Sequence, residues 1–198
     1  MIEEKVFSFI YDMAFKDATM RKAFPKGEDT DLVFAEKKKK VKNSLENTLQ
    51  LFTHKLLAGC LTDAEYTELI KTIWKDGKSA DERFSFGNAQ KLVNMLSKYL
   101  YIACYDNDQM RCKFECCHCP MDSIMIRTVC DSYDKLGEEL QEQVLNVKLK
   151  NVNWSTLGRN NQECTVPEAY EVFQRAVGKL KGRDLLSIEF DYENWGSN

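Results

Sequence analysis

Apolar residues recur every three or four positions along most of the chain, which is the spacing of an α-helix. The pattern predicts successive helices over residues 2–24, 31–57, 63–75, from about 88 onward, 122–135, 138–148 and 168–180. Residues 185–195 depart from it, because apolar and acidic side chains alternate there as in a short strand or an extended arm. The fold class that we predict is therefore mainly α.

Local signals set the ends of several helices. Thr30 or Asp31 is placed to cap the second helix, and Gly59 is placed to end it. The run Thr62-Asp63-Ala64-Glu65 is a capping box, in which the side chains of the first and last residues each accept a backbone N–H bond from the other. On the first helix, the apolar residues at helical spacing, which should face the core, are Val6, Phe9, Ile10, Met13 and Met20.

The composition fits a single globular unit, 1–198, or two small helical lobes. The 198 residues are 43% hydrophobic and 30% charged, which provides enough apolar surface for a core. No apolar run reaches the roughly 18 residues of a membrane span, and the acidic start lacks the basic region of a signal peptide. We therefore expect a cytoplasmic protein with no membrane partner, in which the eight cysteines are reduced thiols.

Charge alone does not identify a partner. With a net charge of −3 the chain has no general attraction for nucleic acid, so DNA binding would need a local basic face. The densest basic run is Lys37 to Lys40 together with Lys42. It is either a solvated helix face or a patch that contacts phosphates.

The segment 84–126 carries the strongest candidate chemistry. Its turn at Phe86-Gly87-Asn88 leads into a helix with Lys91 in the first turn, where the helix dipole and burial both favour the uncharged amine of a nucleophilic lysine. After a cysteine-rich stretch, Pro120 precedes Asp122, which is a natural N-cap for the next helix. Taken alone, each residue also fits an ordinary role, as a surface lysine or a structural cap.

Taken together, these features resemble a known superfamily. The run Phe86-Gly87-Asn88-Ala89-Gln90-Lys91 resembles the hairpin and catalytic lysine of the helix-hairpin-helix DNA glycosylases. The run His118-Cys119-Pro120-Met121-Asp122-Ser123 resembles the segment that carries their catalytic aspartate. The interval between the two runs, with Lys98-Tyr99 and Tyr101 inside the helix, is most similar to the archaeal type of 8-oxoguanine DNA glycosylase.

The chain also departs from that superfamily. Ala89 stands where a second hairpin glycine is usual, and His118 and Met121 replace small apolar residues near the aspartate. The four-cysteine iron–sulfur pattern of some relatives is absent, since only Cys164 lies beyond Cys130. These differences leave the excised base open between 8-oxoguanine and a modified base such as one with which a phage protects its genome.

The resemblance implies a two-lobed helical glycosylase that acts as a monomer on double-stranded DNA without a cofactor or a metal ion. A nucleotide is flipped into a pocket, Asp122 stabilises the oxocarbenium-like sugar, and Lys91 attacks the anomeric carbon to form a Schiff base that permits strand cleavage. The hairpin residues implied to bind DNA are Gly87, Asn88, Ala89 and Gln90. The side chains implied to contact the base are Phe86, Lys98 and His118. Aromatic residues available to stack on the base, each of which also fits a core position, are Trp74, Phe84, Phe86, Trp154 and Trp195.

Three other interpretations remain open. The cysteines of 112–119, with His118, could hold zinc only if the loop folds back tightly, because a closed site needs four ligands. Arg111 and His118 form an Arg-x6-His arrangement similar to that of HEPN ribonucleases, which requires both residues on one helix, whereas Pro120 and the cysteine-rich loop disfavour a helix there. A non-catalytic helical interaction protein would need none of this chemistry.

Overall fold

The structure, a computed structural model, describes residues 2–20, 22–104, 107–161 and 165–194. Within these ranges the chain is helical and forms no β-strand, which confirms the mainly α class. The α-helices are α1 (Glu4–Ala18), α2 (Asp31–Ala58), α3 (Asp63–Ala80), α4 (Phe86–Ala103), α5 (Asp108–Arg111), α6 (Ser123–Asp131), α7 (Glu138–Asn146), α8 (Glu168–Leu180) and α9 (Ser187–Asn194). None of these helices is both long and apolar enough to cross a membrane.

The caps predicted around α2 and α3 are confirmed. The Thr30 hydroxyl accepts the N–H of Val33 at 3.3 Å, and Gly59 ends α2 in the left-handed conformation, with a φ of 73°. Thr62 and Glu65 form the complete capping box that starts α3. These ends could be predicted because each depends on residues only a few positions apart.

The predicted apolar stripe of the first helix is wrong for four of its five members. Ile10 is buried, but Val6, Phe9, Met13 and Met20 are exposed. The face in contact with the core is lined by Phe7, Ile10, Tyr11, Ala14, Phe15 and Ala18. Apolar residues occur all around this helix, and packing against α4 buries the side that carries Phe7, Tyr11 and Phe15, whose rings also contact one another.

The strand or extended arm predicted for 185–195 is also wrong in the part that the structure describes. Residues Ser187–Asn194 form α9, and Trp195 lies outside the described residues. Glu189 sits at the third helical position and accepts the N–H of Leu186 at 2.7 Å, which supplies half of a capping box. This local bond favours a helix start at Leu186, which the alternating pattern does not reveal.

Helix α4 lies at the centre of the molecule. Every residue from Phe86 to Lys98 is buried, and α4 packs against α1 and α3. Helix α3 continues to Ala80, beyond the end predicted at residue 75. Within this extension Gly77 allows the ring of Phe84 to approach closely, since a Cβ atom there would lie 2.3 Å from that ring. The buried apolar side chains form one continuous cluster that includes members from α1 to α9.

Candidate functional site

The hairpin predicted at the start of α4 is wrong, because residues 86–88 form the first helical turn. The Ser85 hydroxyl accepts the N–H of Asn88 at 3.1 Å, and the Asn88 side-chain oxygen accepts the N–H of Ser85 at 2.9 Å. This is a capping box with asparagine in the place of the usual glutamate. The sequence interval Ser-x-x-Asn could have revealed it.

The residues expected to hold DNA, Gly87, Asn88, Ala89 and Gln90, are all buried. The segment that begins at Trp154 covers them. Gly87 donates its N–H to the carbonyl oxygen of Leu157 at 3.1 Å, and a Cβ atom on Gly87 would lie 1.7 Å from the carbonyl oxygen of Trp154. A phosphate therefore cannot reach this helix start in the described conformation, and the predicted contact of these four residues with DNA is incompatible with their burial.

The aromatic side chains considered for base stacking belong to the core. Trp74, Phe84 and Phe86 are fully buried, and Trp154 is nearly so. Phe86 packs edge-to-face against both Trp74 and Tyr170. In this conformation Phe86 therefore has no face open to a base, whereas Trp195 lies outside the described residues.

Lys91 and Asp122, which are 31 residues apart in the sequence, meet directly. The ammonium nitrogen of Lys91 lies 2.6 Å from Oδ2 of Asp122, and the two residues are only 6% and 9% exposed. The other carboxylate oxygen, Oδ1, accepts the N–H groups of Ile124 and Met125 at 3.0 and 2.9 Å, so Asp122 is the N-cap of α6 as predicted. The carboxylate thus joins the start of one helix to the amine of another.

A second buried ion pair lies farther along α4. Lys98 donates to Oδ2 of Asp191 on α9, a residue that is 1% exposed. Oδ1 of Asp191 has no hydrogen-bond partner within the described part of the chain. Burial raises the pKa of Asp191 above its ordinary value, since the attraction of Lys98 and Lys91 offsets only part of the lost hydration.

The two ion pairs belong to one electrostatic cluster. All four of their charged groups act on the thiol of Cys119, which is fully buried. Burial, followed by the charges of Asp191 and Asp122, raises the pKa of this thiol well above its usual value, so Cys119 is neutral. Asp191 was missed in the sequence, where no local signal connects it to a lysine 93 residues away.

A cavity of about 430 Å³ adjoins the second pair, a volume within the usual range of ligand sites, about 300 to 1,000 Å³. Its lining includes Lys98, Tyr101, Arg111, Glu189 and Tyr192. Arg111 binds Glu189 through two nitrogens at 2.8 and 2.7 Å. Burial would raise the pKa of Glu189, but hydrogen bonds from Arg111, the Leu186 N–H and Tyr101 outweigh it and lower the pKa to about 2.

His118 lies at a different cavity, of about 370 Å³, so the structure does not place it with Lys98 around one cavity. Its ring nitrogens are 2.9 Å from the Tyr170 hydroxyl and 2.9 Å from Asp63 Oδ1. Its predicted role in base binding therefore has no support in this arrangement. Arg111 ends α5 whereas His118 lies outside the helices, so the shared helix of a HEPN ribonuclease is absent from this described segment.

The cysteines of 112–119 do not converge on a metal site. Cys112 is exposed, whereas Cys116, Cys117 and Cys119 are buried. In the described ranges, no group of three or more histidine, cysteine, aspartate or glutamate side chains is arranged to hold a metal ion. Cys164 lies outside those ranges.

Comparison with known proteins gives no match, whether to a protein-family model, to a curated protein or to a solved structure.

Proposed function

We propose that the protein is a DNA glycosylase that excises a damaged or modified base, with Lys91 as the nucleophile and Asp122 as the carboxylate that stabilises the sugar cation. The observation that carries the proposal is the contact between these two side chains, at 2.6 Å, inside a buried site. The resemblance to glycosylases selects the same two residues. A buried amine beside a fixed carboxylate is the arrangement that cleavage of a glycosidic bond through an amine intermediate requires.

The ion pair suggests the order of the proton transfers. As the bond between the anomeric carbon and the base breaks, its electron pair goes to the base, and the Lys91 ammonium gives the base a proton. The Lys91 amine then forms a bond to the anomeric carbon. One proton of the resulting ammonium moves to the ring oxygen as the bond between that oxygen and the anomeric carbon breaks, which opens the sugar to a protonated Schiff base. Asp122 stays beside the sugar throughout, because Oδ1 is held by two backbone N–H groups.

The second ion pair supports a place for the base. Lys98 lies two helical turns from Lys91 on α4 and lines the 430 Å³ cavity. In that arrangement Lys98, which lines the cavity, donates a hydrogen bond to a flipped base. Because Lys91 and Asp122 are buried, the entry of the nucleotide must open a path from this cavity to the pair.

The DNA backbone must be bound elsewhere than at the start of α4. In the two-lobed arrangement that we propose, α3, the connection 81–85 and α4 take the place of the helix-hairpin-helix element. Arg83 in that connection is already bonded to Asp29, Asp81 and the carbonyl oxygens of Pro25 and Lys26. Phosphate contacts are therefore assigned to other basic side chains. In the run Lys37 to Lys40, Lys37 and Lys38 already bond Asp29 and the Thr19 carbonyl oxygen, whereas Lys39 and Lys40 are exposed.

Borohydride trapping tests the proposal. The full chain is incubated with duplexes that contain 8-oxoguanine, other oxidised bases or hypermodified phage bases, and the reductant converts any Schiff base into a stable adduct. We expect an adduct with at least one duplex and its loss in Lys91→Gln. The matched control is Lys71→Gln, since Lys71 forms an ion pair of the same length, 2.6 Å, on the exposed surface of α3.

The outcome divides the candidate functions. If no duplex loses a base to the protein, or if Lys91→Gln releases bases as fast as the unaltered chain, the glycosylase proposal is wrong. RNA cleavage that depends on Arg111 and His118 would instead indicate the ribonuclease. If the unaltered chain cleaves neither substrate and Lys91→Gln changes only the stability of the fold, a helical interaction protein is indicated.

A further inference from the structure

The segment 119–122 lies outside the helices, and its backbone is held by side-chain amides and not by pairing with a β-strand. The Gln90 amide donates to the Met121 carbonyl oxygen at 2.8 Å and accepts the Met121 N–H at 3.0 Å. The Gln174 amide on α8 likewise donates to the Cys119 carbonyl oxygen at 2.7 Å and accepts the Cys119 N–H at 3.1 Å. Two glutamines thus take the place of a neighbouring strand, on alternate residues, as the period of an extended chain requires.

Pro120, between Cys119 and Met121, fits this pattern. In an extended chain the backbone N–H and C=O of successive residues point to opposite sides, so Pro120 needs no N–H on the side that faces the glutamines. Asn94 completes the network. Its amide nitrogen donates to Gln90 Oε1 at 3.1 Å and to the Tyr170 hydroxyl at 3.1 Å, which fixes the orientation of the Gln90 amide. Gln90 and Asn94 are fully buried, so these bonds are protected from competition with water.

The Gln90 bond pair is adjacent to the Lys91–Asp122 contact in both segments. Gln90 precedes Lys91 on α4, and Met121 precedes Asp122, so the two contacts have the same sequence separation of 31 residues. The Gln90–Met121 bonds therefore set both the distance and the register between α4 and the start of α6. Gln174, by contrast, lies on α8 and bonds Cys119, two residues before Met121.

We propose that Gln90 is a positioning residue that places the Asp122 carboxylate against the Lys91 amine, an inference that rests on the proposed function for its consequence in catalysis. Gln90 touches neither reacting group. Its two bonds to Met121 fix the backbone from which Asp122 projects. A shift of about 1 Å in that backbone would lower the rate of base release about 100-fold.

The test compares Gln90→Met with Gln174→Met. Gln90→Met leaves the N–H and C=O of Met121 unpaired and also removes an acceptor of Asn94. In Gln174→Met the Cys119 N–H loses its partner, whereas the Cys119 carbonyl oxygen keeps a bond from Asn94 at 3.4 Å. Urea unfolding of both variants therefore defines conditions in which each is fully folded, and the rates are compared there. We expect Gln90→Met to lower the single-turnover rate of base release about 100-fold and to change its pH profile, with a far smaller change in Gln174→Met. Equal losses of rate in the two variants would overturn the proposal.

A second readout does not depend on DNA. Reductive methylation with isotope-labelled formaldehyde, followed by mass spectrometry of the peptide that contains Lys91, reports how well Asp122 protects the amine. Gln90→Met should speed the methylation of Lys91, whereas Gln174→Met should leave it slow. Unchanged protection of Lys91 in Gln90→Met would refute the positioning role. Absence of base release by the unaltered chain would refute only the proposed function, because the methylation readout does not depend on it. If Gln90→Met does not fold, Gln90→Asn replaces it, since the shorter side chain keeps a neutral amide and withdraws it from Met121.

Discussion

The Lys91–Asp122 pair should show a strong energetic coupling in a double-mutant cycle. Both carboxylate oxygens accept hydrogen bonds, Oδ1 from the start of α6 and Oδ2 from Lys91. In Asp122→Asn the single oxygen can cap α6 or face Lys91 but cannot do both, and the amide NH2 would then point at a buried ammonium. Breaking a buried ion pair in this way costs about 3 to 5 kcal/mol, whereas loss of an ordinary cap costs about 1 kcal/mol.

The complementary variant, Lys91→Met, keeps most of the side-chain volume and leaves Oδ2 of Asp122 without its charged donor. We expect a destabilisation of about 3 kcal/mol, because the remaining charge is buried and unpaired. In the double variant the asparagine oxygen caps α6 and its NH2 no longer meets a cation. The double variant should therefore lose only about 1 kcal/mol, well below the sum of the two single variants.

Urea unfolding followed by circular dichroism measures all four proteins of the cycle, and unchanged m-values would show that the denatured state is comparable. The control cycle uses Lys71→Met and Glu68→Gln, whose ion pair has the same 2.6 Å separation but is exposed. Its coupling should be at most about 0.5 kcal/mol. Additive losses below about 1 kcal/mol at Lys91 and Asp122 would refute the reasoning, since they would mean that water screens the pair in solution. Base release should stay absent in the stable double variant.

Two further variants test other parts of the structure. Gly87→Ala should destabilise the protein by several kcal/mol in urea unfolding, because its Cβ atom would collide with the carbonyl oxygen of Trp154. The control Gly178→Ala, in an open part of α8, should stabilise the protein by about 1 kcal/mol. An unchanged stability in Gly87→Ala would contradict the close approach of Trp154. Glu189→Gln should lower the melting temperature at pH 7, and the difference from the unaltered protein should shrink as the pH falls from 4.5 towards about 2. The reason is that a carboxylate with a lowered pKa in the folded state stabilises the fold above its unfolded pKa, and this stabilisation is lost as the carboxylate bound to Arg111 is protonated. A difference independent of pH would show that the Arg111 contact is not electrostatic.

The parts of the fold that could be predicted depend on short-range signals. The caps at Thr30 and Asp122 and the stop at Gly59 each involve bonds within a few residues, so the sequence contains all of the necessary information. The inner face of α1 is different, since apolar residues surround that helix and only the positions of α2 and α4 decide which side is buried. The same limit applies to Asp191, whose partner on α4 is determined by the packing of α9 and by no spacing in the chain.

Gly87 shows how a motif and its physical cause can separate. A glycine at a helix start allows close approach of another group, and in the resemblance that group is a DNA phosphate. In the structure the approaching group is the carbonyl oxygen of Trp154, and the N–H of Gly87 already donates to Leu157. Both explanations require the same residue at the same position, so no pattern within residues 86–91 could distinguish them. The Lys91–Asp122 contact does not depend on which explanation holds, because Asp122 is placed by the cap of α6 and by the Gln90 amide. The candidate chemistry can therefore persist although the predicted DNA-binding surface beside it does not.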